Sequence, residues 1–201
     1  MVKTIKGLAA FLCAALLLSG CGGREKASAF VYRTLDERLQ GDMSQAEGKT
    51  DTERAYHDHQ ATVIFFTDAF LLGDMAADDT EREAFDKISE KILAASRYKV
   101  TEAKKKGAFW EVGVEIFPNR IFVLSKDRLL SLSKEIADGQ EEAHRTERYL
   151  SGAKDILMEG AEAPQYGKKK TVWIKVEEKD GKKFIPDEEW TLFLSKLFVL
   201  P

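Results

Sequence analysis

Val31, Leu35 and Leu39 recur every four residues, and Gly41-Asp42 follows the last of them. That spacing predicts a helix with Ser28 as its N-cap and a stop at Gly41. Thr50-Asp51-Thr52-Glu53 has the form of a capping box. It leads into Ala55, Tyr56, Ala61, Val63 to Phe66 and Ala69 to Leu72, closed by Gly73-Asp74. Past Ala61 this segment is apolar nearly all round, which predicts the most buried helix of the chain. Thr80-Glu81-Arg82-Glu83 repeats the capping pattern, and Ala84, Ile88, Ile92 and Ala95 mark a third amphipathic helix.

After Arg97 the period shortens to two. Tyr98 to Ala103 reads as a strand, with Lys104-Lys105-Lys106-Gly107 as its turn. Trp110, Val112, Val114 and Ile116 then alternate with Glu111, Gly113 and Glu115, giving a half-buried hairpin. Pro118-Asn119 interrupts it, and Ile121 to Leu124 is expected to continue at the sheet edge. Ser125 is the expected cap of a helix carrying Leu129, Leu132 and Ile136, broken near Asp138-Gly139. Helix resumes with Tyr149, Leu150, Ala153, Ile156 and Leu157 until Pro164 and Gly167. Val172, Ile174 and Val176 alternate into Lys179-Asp180-Gly181-Lys182, a strong hairpin signal, and Phe184-Ile185 begins the return. Pro186-Asp187-Glu188-Glu189 opens a last helix with acids at its positive end and Trp190, Leu194, Leu197 and Phe198 on one face. Helices segregate from hairpins, so the class is α+β: a curved antiparallel sheet of about three to five strands packed against several helices.

The amino terminus obeys a different rule. Lys3 and Lys6 precede an apolar run from Leu8 to Leu18, which ends in Leu18-Ser19-Gly20-Cys21. As a helix this run spans about 16 Å, half a bilayer core, which suits a signal-peptide apolar segment and not a permanent span. The ending resembles the bacterial lipobox, in which small residues precede a cysteine that is acylated and becomes the first residue after cleavage. Residues 1–20 are therefore expected to be a lipoprotein signal peptide, 21–27 a lipidated Cys21 with a short polar tether, and 28–201 one α+β domain. Two or three acyl chains, at roughly 0.8 kcal/mol per buried methylene, anchor such a protein firmly. Cys13 leaves with the signal peptide, so no intramolecular disulfide remains possible. Gly22 to Ala27 spans about 12–15 Å as a flexible linker, which keeps the domain close to the headgroups.

A wider resemblance appears once the elements are placed. The helix ending in Gly41-Asp42, the long helical insert and the strand pair around Tyr98-Lys99-Val100 and Trp110 to Ile116 are similar to small Firmicutes (clostridial) lipoproteins of unknown function. So are Pro164-Gln165-Tyr166-Gly167, Thr171-Val172-Trp173-Ile174-Lys175-Val176 and Ile185-Pro186-Asp187-Glu188-Glu189-Trp190, with Asp187 where that family often has serine. The resemblance covers roughly the whole chain. It implies a cystatin-like or ketosteroid-isomerase-like α+β roll, an address at the cell membrane's extracytoplasmic face, and no known activity.

Composition narrows the rest. A formal charge of -3 argues against a nucleic-acid partner, and loss of Lys3 and Lys6 makes the remainder more acidic. Hydrophobic content of 44%, with 12 Phe, excludes a disordered chain. Two cysteines exclude a disulfide scaffold or a cysteine-rich zinc module. His57-Asp58-His59 is the compact cluster of ligand-type side chains, but on a helix the two imidazoles diverge, and only His144 or a carboxylate could complete a site. No metal or cofactor is expected. The acid pairs Asp78-Asp79, Glu141-Glu142, Glu177-Glu178 and Glu188-Glu189 fall at helix starts or turns and read as solvated. Glu111 and Glu115 sit on a strand among aromatics and become pocket acids if that face lines a cavity, against the alternative of an exposed sheet face. Lys104 to Lys106 and Lys168 to Lys170 would touch anionic headgroups or wall polymers if they share one rim, against the alternative of charged turns guarding sheet edges.

The expected function is a lipid-anchored binding or interaction domain at the cell envelope, held to membrane lipid through Cys21, with an envelope protein or wall polymer as partner. The alternative is a small hydrolase or isomerase using a conical pocket of the roll. A two-lobed solute-binding subunit needs a longer chain.

Overall fold

The computed structural model describes residues 26–139 and 144–201. Cys21, the leader before it, and Glu141-Glu142 lie outside the described residues. Helix α1 runs through residues 26–35 and continues as a π-helical turn, Asp36–Gln40. Its stripe Val31, Leu35 and Leu39 is fully buried, as the four-residue spacing requires. Gly41 closes it in the left-handed region, φ 66°, with its N–H on the Glu37 carbonyl. Ser28 is not the cap, because the helix is already formed at residue 26.

Helix α2, Gly48–Phe66, passes into a second π-helical stretch, Thr67–Leu72. Its start carries no capping box: the Asp51 carboxylate instead accepts from the Glu47 N–H at 3.0 Å. The expectation of burial all round also needs correcting. Val63, Phe66, Leu71 and Leu72 are buried, whereas Ile64 and Phe65 are 48% and 38% exposed. Helix α3, Asp79–Ala94, begins two residues before the expected box, because Asp78 accepts from Glu81 N–H at 2.8 Å while Glu81 reaches back to the Asp78 N–H.

Four strands follow the order β1-β2-β3-β4 in one open antiparallel sheet. Strand β1, Arg97–Lys106, takes in the lysine triplet that was expected to turn, and Gly107-Ala108 makes the turn itself. Strand β2, Phe109–Phe117, points Trp110, Val112, Val114 and Ile116 into the core. Ile121 to Leu124 is not an edge strand. It is the first turn of α4, Ile121–Asp138, started by the Asn119 side chain, which accepts the Ile121 N–H at 3.0 Å. Ser125 lies buried inside that helix and does not cap it. Helix α5, Arg145–Glu162, packs on α3 and α4. Strand β3, Lys170–Lys179, pairs with β2 and then with β4, Lys182–Phe184, across a two-residue turn. Asp180 and Gly181 both have positive φ, 54° and 74°, the geometry that matches the twist of a tight hairpin. Helix α6, Asp187–Leu197, packs back on β3.

One contiguous core joins the inner sheet face to the helices. The outer face of the sheet carries Glu111, Gly113, Glu115 and Trp173. The Trp173 ring lies across Gly113, where a Cβ would come within 3.3 Å of it.

Candidate functional site

The largest described cleft, about 720 Å³, lies between α1, the start of α2 and the β3–β4 hairpin. Helix α1 contributes Phe30, Arg33, Thr34 and Arg38, α2 contributes Asp51, Arg54 and Asp58, and the hairpin contributes Gly181 to Phe184. The spacing explains the placement. Arg33, Glu37 and Arg38 share one side of α1, while Asp51, Arg54 and Asp58 fall at three- and four-residue steps on the facing side of α2.

Behind the lining arginines the Glu37 side chain is only 2% exposed. One carboxylate oxygen accepts from Arg54 Nη2 at 3.3 Å, and the other lies 3.7 Å from Arg33 Nε without a hydrogen bond. Arg54 also binds Asp51, at 2.8 Å through Nη2 and 3.0 Å through Nε, and Asp58, at 2.9 Å through Nη1. Burial alone would pull the Arg54 guanidinium down, but Asp51 and Glu37 outweigh it and hold it above its usual value. The Glu47 N–H, and then Arg54, hold the Asp51 carboxyl below the usual carboxylate range. Arg38 reaches Asp58 at 3.6 Å and lies 4.9 Å over the Trp190 ring. The result is an alternating ladder of guanidinium and carboxylate groups, with Lys182 and Lys183 on the opposite wall. Thr34, the hydroxyl on the α1 side, donates to the Phe30 carbonyl at 2.9 Å. Glu47 and Thr50 complete the lining on the α2 side.

Asp36, next to Glu37 in the π-helical turn, faces another way. It accepts from the Tyr98 hydroxyl at 2.5 Å, and Gln40 donates to the same hydroxyl at 3.2 Å. Burial, reinforced by Asp36, raises Tyr98 far above the normal phenol range, so the hydroxyl stays a donor and ties α1 to β1. Successive residues on a helix point about 100° apart, so the two consecutive acids serve two different walls.

The residues singled out from the sequence are dispersed. Asp58 of the His57-Asp58-His59 cluster belongs to the cleft through Arg54 and Arg38. His59 places Nδ1 3.1 Å from the Arg38 carbonyl, and His57 is exposed. Among the described residues no group of three or more His, Cys, Asp or Glu side chains is placed to hold a metal. Added zinc is therefore expected to leave the melting temperature unchanged in a thermal scan; a saturable rise would assign His57 and His59 to a metal site.

Glu111 and Glu115 stand on the outer face of the sheet and line none of the described cavities. Glu115 pairs with Lys169 at 2.8 Å, and Glu111 lies 3.9 Å from Lys106. The Lys169 hydrogen bond draws the Glu115 carboxyl below its usual range, the opposite of what a general acid requires. The two basic triplets do not share a rim. Lys106 pairs with Phe109 and Lys170 with Ile116, which puts them about 23 Å apart along β2. The arginine-acid ladder carries no motif of its own, and the three- and four-residue spacing of its members on two successive helices was its one signal in the sequence.

No protein-family model matches the sequence, and no curated protein matches it. A solved structure does resemble the fold: a candidate lipoprotein, YcdA, from Bacillus subtilis subsp. subtilis strain 168. The TM-score is 0.58 at 16% identity, over 84% of this chain. This chain spans 55% of the length of that protein.

Proposed function

We propose that the chain is a lipid-anchored protein of the extracytoplasmic membrane face, and that its folded body is a non-enzymatic binding or interaction domain. The observation that carries this reading is the order of Lys3 and Lys6, the apolar run and Leu18-Ser19-Gly20-Cys21, with helix α1 under way five residues later. Similarity in fold to a candidate lipoprotein supports it. Among the described residues no helix is long and apolar enough to cross a membrane, so a lipid at Cys21 would supply the attachment. Membership of the small Firmicutes lipoproteins, with their cystatin-like roll, belongs to the same reading.

The cleft gives the binding role a location. Its arginines are held by Glu37, Asp51 and Asp58, and Lys182 on the hairpin wall carries no ion pair among the described residues, so the cleft suits a ligand bearing carboxylate or phosphate groups that can bind Lys182 and compete for the guanidinium groups, as wall polymers and envelope proteins do. A hydrolase or isomerase would need an acid with a raised pKa in a deep apolar pocket; Glu111 and Glu115 are paired with lysines on the outer face instead.

Cells fed an alkyne fatty acid should label the native chain, which should fractionate with membranes. Cys21→Ala should take up no label. Equal labelling of the two would overturn the anchor.

A further inference from the structure

The sheet has one strongly basic end. Lys106 pairs with Phe109, and Trp110 pairs with Val176, so the β1–β2 and β3–β4 turns emerge side by side. Together they bring Lys104, Lys105, Lys106, Lys179, Lys182 and Lys183 to one rim. Most acids at this end are matched: Glu102 binds Lys104, Glu111 lies near Lys106, Glu177 binds Lys175 and Glu178 binds Lys183, while Asp180 in the β3–β4 turn is exposed and offsets one lysine. Lys105, Lys179 and Lys182 are exposed and form no ion pair among the described residues.

The same rim adjoins the start of the domain. Gly181 to Ile185 form one wall of the cleft and Phe30 and Arg33 of α1 the other. Phe30 stands about 6 Å along the helix from residue 26. Residue 26 is five positions from Cys21, at most about 17 Å of extended chain. Asp36 and Gln40, at the far end of α1, bond Tyr98, which lies opposite Ile116 and so at the Lys170 end of the sheet. The start of α1 therefore points to the rim of the two turns, and an acylated Cys21 would hold this end beside the headgroups.

We propose that the rim formed by the β1–β2 and β3–β4 turns is the face this domain lays on an anionic lipid surface, a proposal that rests on the lipid anchor at Cys21. Each unpaired lysine brought within a Debye length of anionic lipid strengthens the attraction about fivefold. Docking in this orientation sets the cleft at the membrane surface.

The test uses the full chain in a Cys13→Ala background, reconstituted through its anchor into vesicles. An environment-sensitive thiol probe is placed at Lys182→Cys or, as control, at Lys168→Cys. Vesicles are phosphatidylcholine alone or phosphatidylcholine with phosphatidylglycerol. Retention by neutral vesicles reports the anchor. Docking predicts a blue shift at position 182 only with phosphatidylglycerol, reversed by high salt, and no shift at position 168. Lys105→Glu with Lys179→Glu should weaken the response by more than tenfold. Retention without a shift, or equal shifts at both positions, overturns docking and leaves the anchor standing. Loss from neutral vesicles overturns the anchor and the docking with it. A probe at position 182 shielded in cell envelopes but silent on vesicles assigns the rim to a wall polymer or protein and overturns the lipid reading.

Discussion

Phe66→Ala is expected to lower the free energy of unfolding by about 3–5 kcal/mol. Phe66 is fully buried, at the point where α2 passes into its π-helical stretch. Its ring centre lies 4.9 Å from those of Phe70 and Phe198 and 6.1 Å from that of Phe122. Those neighbours belong to α2's extension, to α4 and to the segment after α6. A cavity walled by three separately held elements has little room to collapse, which puts the cost toward the upper end of the range. The half-exposed neighbour Phe65 serves as control, with an expected loss below about 1 kcal/mol for Phe65→Ala. Urea denaturation of both variants checks this. Equal midpoints would show that the aromatic cluster is not where the helices lock together.

Arg54→Met is expected to cost about 2–3 kcal/mol. A fully buried pair would lose more, but Arg54 is 45% exposed, so water screens part of the interaction. The loss falls on Glu37, which keeps only Arg33 at 3.7 Å, while Asp51 and Asp58 lose their shared donor. If stranded charge is the cause, Glu37→Gln in the Arg54→Met chain should recover part of the stability, and a double-mutant cycle should show coupling of at least about 1 kcal/mol. A change within about 0.5 kcal/mol for Arg54→Met would reduce the ladder to surface decoration.

These two sites differ in how far the sequence revealed them. The hairpins were legible because alternation in Trp110 to Ile116 and Val172 to Val176 has one structural solution, and Asp180-Gly181 names its turn. Helix starts were less so. Asp78, Thr50 and Thr80 all have capping chemistry, and only the fold decides which backbone is free to be capped. The lysines of β1 have the charge of a turn, yet an edge strand tolerates charge on its open side. Ile121 to Leu124 read as a strand from its β-branched residues. Asn119, whose backbone also binds the last residue of α6 through Leu197 O and the segment after it through Val199 N–H, starts a helix there instead. The cleft was hidden because it joins α1 and α2 to a hairpin more than a hundred residues later, and no local spacing encodes that meeting.

Helix α1 is at once the element nearest Cys21 and a central part of the core, with Val31, Leu35 and Leu39 wholly inside. With Cys21 acylated, a pull on the lipid would reach the domain along the axis of this helix. The resistance to such a pull would therefore come from the core itself, through Val31, Leu35 and Leu39.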